Sequence, residues 1–135
     1  MVYGVEEWQI PNREINKILS TEMDVLRKSS RKSRMERTNN EGIKEIMAVK
    51  GKPDITDIIE KKRLQWYSHV KRMPAERIPK LIMEWIPLER SKRRRPRKTW
   101  MEEVQAAMTT SNLEPDQWRN REEWRLVSGR RRQLL

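Results

Sequence analysis

Apolar residues recur along most of this chain at the three-and-four spacing of a helix face, and breaks in that rhythm divide it into segments. Ile15, Ile18, Leu19, Met23 and Leu26, with Glu22 among them, fall on one face of a helix that opens near Asn12, a residue type suited to cap it. A shorter helix with Ile43, Ile46 and Met47 follows Asn39 and Asn40 and stops at Gly51, Lys52 and Pro53. Asp54 and Asp57 stand at capping-box spacing, so a third helix begins there. Ile55, Ile58, Ile59, Trp66, Val70 and Met73 form its apolar stripe and Pro74 closes it; it is expected to be the longest in the chain.

Beyond Pro74 the rhythm resumes. Pro79 suits the first turn of a short helix containing Leu81, Ile82 and Trp85, which Pro87 closes. Thr99 and Glu102 make a better capping box, for a helix through Met108 that buries Trp100, Val104, Ala107 and Met108. Residues 112–115 open a last helix with Trp118, Trp124 and Val127, ended by Gly129. Few runs are rich in β-branched residues, and no repeat is visible. The expected fold is mainly α and partly disordered: an arm over residues 1–11, a small helical bundle over 12–89, a basic linker over 90–99, and a C-terminal helical pair with a basic tail over 100–135.

Composition limits the core and the chemistry. Apolar residues make up 35% of the chain and charged residues 38%, while six Trp and eight Met stand against no Phe. Indole and thioether groups must therefore supply much of the packing, and Trp66, Trp85, Trp100, Trp118 and Trp124 read as packing residues before base-stacking platforms. There is no cysteine, and His69 is the one histidine. Thiolate chemistry, Ser-His-Asp triads and paired-histidine metal sites are excluded or short of groups, and His69, beside Trp66 and Val70 on a helix, reads as structural. The carboxylate pairs Glu6-Glu7, Glu102-Glu103 and Glu122-Glu123 adjoin basic residues and read as surface ion pairing. Four glycines are too few for a phosphate-cradling loop. The expectation is a chain with no catalytic residue, metal or cofactor. No apolar run approaches a membrane span and the first residues lack an apolar signal core, so a nuclear or cytoplasmic, non-secreted protein without a membrane partner is expected.

Charge supplies the positive indication. Lys and Arg outnumber Asp and Glu by 31 to 20, giving a net charge of +11. That is the footprint of a polyanion binder, holding DNA or RNA by its phosphates with little sequence preference. Seven of the nine residues 90–98 are basic: Arg90, Lys92, Arg93, Arg94, Arg95, Arg97 and Lys98. Such a run lies along phosphates and also suits nuclear import, although a merely solvated linker is the plain alternative. Arg93-Arg94-Arg95-Pro96 differs from a minor-groove Arg-Gly-Arg-Pro core at Arg94, where glycine is needed to approach the groove floor, so base reading is expected to be weak. Arg31, Lys32 and Arg34, within a stretch of six cations at 27–37, and Lys61, Lys62 and Arg63 are further candidate phosphate contacts. A polypeptide partner at the Trp- and Met-rich helical faces is a separate possibility.

Four strings, in order along the chain, carry a resemblance. Tyr3-Gly4-Val5-Glu6-Glu7-Trp8 is similar to the Tyr-Gly-x-Glu-x-Trp segment after the palm of insect-type non-LTR (LINE-like) retrotransposon reverse transcriptases. The string from Lys62 to Pro74, with Trp66, His69, Val70 and Met73, resembles that family's Lys-Arg-Leu-x-Trp-x-Gly-His-Val-x-Arg-Met. Pro96-Arg97-Lys98-Thr99-Trp100 resembles its Arg-Gly-Arg-Pro-x-x-x-Trp, and Arg121-Glu122-Glu123-Trp124-Arg125 its Asp-Arg-x-x-Trp-Arg. The resemblance implies a thumb-like helical region and the C-terminal extension of an endonuclease/reverse transcriptase polyprotein, gripping a template–primer duplex. The family's Tyr-x-Asp-Asp metal site is not in this sequence, and Ser68 and Arg94 stand where the family has glycine. The function expected is therefore a non-catalytic nucleic-acid-binding fragment, with a domesticated nuclear DNA- or RNA-binding protein or a protein–protein interaction module as alternatives.

Overall fold

Six α-helices carry a computed structural model that describes residues 4–86 and 99–129, and there is no strand among the described residues. They are α1 (Asn12–Ser29), α2 (Asn40–Ile46), α3 (Ile55–Lys71), α4 (Ile78–Glu84), α5 (Trp100–Thr110) and α6 (Arg121–Gly129). The mainly α fold expected from the periodicity is the fold observed. The chain divides into two compact units, one of Ile10–Ile58 and one of Met1–Gln9 with Ile59–Leu135. The segment 12–89, read from the sequence as one bundle, thus contributes to both.

In the Ile10–Ile58 unit, α1 packs on α2. The cap of α1 is Pro11 rather than Asn12: Pro11 has an extended backbone, no side chain caps the helix, and Asn12 is its first helical residue. At the other end α1 runs through Arg27 and Lys28, good helix formers, to Ser29. That makes it 18 residues long, one longer than α3 and against the expected order. It closes in a Schellman motif, with Lys32 N–H donating to Arg27 O (3.1 Å) and Arg31 N–H to Lys28 O (3.2 Å). α2 starts at the expected Asn39, whose side chain accepts from Gly42 N–H at 2.8 Å. A Cβ on Gly42 would meet that same Asn39 oxygen at 3.0 Å, so this close approach suits glycine. α2 ends in a second Schellman motif, with Ala48 in the left-handed region.

The other unit is built around one apolar cluster. Leu64 and Tyr67 of α3, Val104, Ala107 and Met108 of α5, Leu113, and Trp124 of α6 are buried together, with Trp100, Trp118 and Val127 packed at the edge. The Trp124 indole N–H donates to the Leu64 carbonyl at 3.0 Å, fastening α6 to α3 inside this cluster. α5 carries the expected Thr99/Glu102 capping box, and α3 the reciprocal Asp54/Asp57 bonds at 3.0 and 3.2 Å. The α3 stripe is shifted from expectation: Ile59 and Val70 are buried as expected, but Leu64 and Tyr67 also face the core, Trp66 is half-buried against His69, and Ile58 is exposed. Apolar residues occupy more than half the circumference of this helix, so its partners decide which face is inward. The single last helix expected is two pieces, a turn at Gln117–Arg119 holding Trp118 and then α6. Asn120 breaks them apart, its side chain accepting from Glu123 N–H at 3.3 Å.

The N-terminal residues join this unit through side chains far along the chain. Val5 is buried, the Trp100 indole donates to Glu6 O at 2.9 Å, and Arg63 donates to Trp8 O at 2.9 Å. Arg63 also forms an ion pair with Glu103 at 2.9 Å, both side chains being under a tenth exposed. Desolvating two such charges is offset only by their mutual attraction and added hydrogen bonds, which the Trp8 carbonyl supplies in part.

Candidate nucleic-acid interface

The structure places the predicted cations in three different situations. Arg90, Lys92, Arg93, Arg94, Arg95, Arg97 and Lys98 lie outside the described residues, as does the 130–132 tail. Lys61, Lys62 and Arg63 sit on α3, but Arg63 points inward and its charge is neutralised by Glu103, which removes it from the surface. Lys61 is exposed beside Gly129. Arg31, Lys32 and Arg34 come together where α1 ends, and the structure adds Arg27, Lys28 and Arg37 to the same place.

The helix and its turn build this basic corner. Because α1 ends at Ser29 and the chain reverses at Arg31, the 27–37 stretch folds back over the last turns of α1. Arg27 holds it there, donating to Thr38 O and Asn40 Oδ1, both at 2.9 Å. A short 3-10 turn, Arg34–Glu36, is fixed by a capping box between Ser33 and Glu36. Arg31 (φ 56°) and Arg37 (φ 51°) both occupy the left-handed region, where a side chain costs roughly 1 kcal/mol that glycine avoids. Two hollows result. One of 600 Å³ is lined by Arg27, Arg34 and Arg37 over an apolar floor of Leu19 and Met23, with Asp24 at its side. A second of 340 Å³ is lined by Arg27, Lys28, Lys32 and Arg34 together with Asp24 and Ser33.

Two of these cations meet carboxylates on the surface. Arg34 pairs with Asp24, and its hydrogen bond holds that carboxyl below the usual carboxylate range. Lys32 pairs with Glu36 at 2.9 Å and, with the Ser33 N–H, does the same to Glu36. Both pairs are exposed, so each is weak and exchangeable for another anion. A phosphate entering either hollow would replace one carboxylate contact and gain the neighbouring guanidinium groups, which present planar, forked donors to it.

The distribution of charge sharpens the picture. Residues 10–58 carry eleven basic against eight acidic side chains. The described residues of the other unit carry ten against eleven, so the remaining excess of nine belongs to residues 87–98 and 130–135. The Arg27 and Arg37 contributions were detectable as part of the six-cation stretch, but their division into a tie and a lining residue depends on the α1 terminus. Among the described residues, no group of three His, Asp or Glu side chains is placed to hold a metal ion, and no helix is long and apolar enough to cross a membrane. Compared with known proteins, the chain matches no family model, no curated protein and no solved structure.

Proposed function

We propose that this chain binds nucleic acid through its phosphates, without sequence preference and without catalysing a reaction on it. The observation that carries the reading is the basic corner at the end of α1, where five cations of one eleven-residue stretch, Arg27, Lys28, Lys32, Arg34 and Arg37, line two hollows. The run 90–98 adds seven more cations in sequence, giving a second, extended contact. The resemblance to the thumb and post-palm region of LINE-like reverse transcriptases is consistent with this role: such a fragment would grip a duplex while the polymerase chemistry belongs to parts this sequence does not contain. A nuclear or cytoplasmic location follows from the same reading. A second reading, a protein–protein interaction module, has one specific observation in its favour, the outward apolar face of α4.

Titration of labelled duplex DNA and RNA at several salt concentrations tests the proposal. Log K should fall steeply with log salt, by about 0.9 per phosphate neutralised. Arg31→Gly with Arg37→Gly suits the left-handed backbone at both positions and removes two charges, so the slope should flatten by about two units with the fold intact. Replacing Lys92, Arg93, Arg94 and Arg95 by Ala should flatten it by about three to four. Slopes unchanged in both variants, or a strong preference for one base sequence, would defeat the reading.

A further inference from the structure

Leu19, Met23 and Arg27 follow one another at four-residue spacing along α1, so one line of the helix passes from apolar to cationic over about two turns. Leu19 and Met23 are half-buried and floor the 600 Å³ hollow. The 340 Å³ hollow shares Asp24, Arg27 and Arg34 with it, and all of its lining residues are polar or charged. Arg27, common to both, is held in place by its bonds to Thr38 O and Asn40 Oδ1, both at 2.9 Å. Contacts to phosphate alone have no use for an apolar floor. Cavities of this size, apolar where a ring rests and polar where its substituents are fixed, hold small ligands.

Resting on the nucleic-acid reading above, we propose that this corner takes one unpaired nucleotide of a single strand, its base on Leu19 and Met23 and its phosphate in the smaller hollow. Met23 and Arg27 stand one helical turn apart, a step that a nucleoside spans between its base and its phosphate. The Met23 thioether favours contact with an aromatic ring. Arg34 and Arg37, carried on the segment folded back over α1, supply guanidinium planes for the ring's other face. A phosphate in the smaller hollow displaces Glu36 from Lys32, while Arg34 keeps Asp24 neutralised. Bases within a duplex are stacked on their neighbours and offer no free face, so the seat admits only an unpaired one. Stacking of this kind is tolerant of base identity, which keeps the site free of sequence preference while making it selective for strand state.

Three DNA probes with the same number of phosphates, titrated against the full chain, separate this proposal from phosphate binding alone: a mixed-base single strand, an abasic strand of the same length, and a blunt duplex. Electrostatics by itself favours the duplex, which releases more counterions per phosphate than a single strand does. A seated base reverses that order, and the single strand should bind tighter than either other probe by about fivefold or more. Met23→Gln keeps the charge and nearly the shape of the side chain. It should abolish the single-strand advantage while leaving duplex affinity and its salt slope unchanged. In the unaltered chain the Met23 methyl resonance should move on adding the single strand and stay in place with the abasic one. Equal affinity for single and abasic strands, both steeply salt-dependent, overturns the nucleotide seat and leaves phosphate binding standing; failure of all three probes to bind defeats both. A single-strand advantage that survives Met23→Gln, or a Met23 methyl indifferent to the bases, also overturns the assignment to this hollow.

Discussion

The two units are held together by different means. Among the described residues, Ile10–Ile58 buries two apolar side chains, Ile10 and Ile43, and α1 buries none. The other unit buries ten, with Trp124 and Leu64 at the centre. Local devices do much of the work in the first: two Schellman closures, the Ser33/Glu36 box, the Asn39 cap and the Arg27 tie. Each such device contributes about 1 kcal/mol, whereas burying one large side chain contributes about 2 or more. The lesson is a division of labour: the surplus of described positive charge sits where little core depends on it, and the described residues of the well-packed unit are nearly neutral.

The largest blow to that contrast is Trp124→Ala. It removes the centre of the cluster and the bond to Leu64 O, and should destabilise its unit by about 3–5 kcal/mol. Urea titration followed by amide NMR should show α5 and α6 resonances lost while those of α1 persist; simultaneous loss of both sets would mean that the units do not stand apart. Arg63→Met comes next. It removes the buried ion pair with Glu103 and should cost about 3 kcal/mol, much of which Glu103→Leu in the same chain restores. A double variant no more stable than Arg63→Met would refute the ion-pair account.

Acid should act more gently. Asp24, Glu36 and Glu45 are held low by hydrogen bonds from Arg34, Lys32 and Lys50, and Glu84 by Lys71. A carboxyl lowered by folding contributes stability above its unfolded-state value and loses it as pH falls through the folded one. Because all four are exposed, the effect is small and screened by salt. Carbon-detected NMR titration should find them below the ordinary range at low salt and shifted back at high salt; ordinary values at low salt would remove these pairs from the argument. The smallest change runs in the stabilising direction. Ala48 sits in the left-handed region at φ 53°, so Ala48→Gly should raise the urea midpoint by the equivalent of about 0.5–1 kcal/mol. A lowered midpoint would show that chain entropy outweighs the relieved strain.

Features set by neighbours in sequence were legible in advance. The Thr99/Glu102 and Asp54/Asp57 boxes, the Asn39 cap and Pro79 at the head of α4 each need four residues to be recognised, and each is present. Features set by distant partners were not. Arg63 reads as one more cation in a basic string until α5 brings Glu103 to it. The core side of α3 depends on where Val104 and Trp124 lie, and the outward stripe of α4 on Lys80 finding the end of α3. At the candidate site the charge was visible, but the corner that gathers it depends on a left-handed residue, Arg31, which carries no glycine signal.

The threading of the chain has a consequence for how the protein comes into being. Contacts that define the Ile10–Ile58 unit span short stretches, Arg27 reaching 11 and 13 residues to Thr38 and Asn40. Those that close the other unit join residues 55, 60 and 94 apart: Trp8 to Arg63, Leu64 to Trp124, and Glu6 to Trp100. Short-range contacts assemble quickly and long-range ones slowly, because the intervening chain must first surrender its freedom. On a ribosome the α1–α2 hairpin can form while Trp100, whose indole secures the N-terminal residues, is still untranslated. Refolding from denaturant should accordingly show a fast helical phase, then a slower one in which Trp100 and Trp124 become protected together.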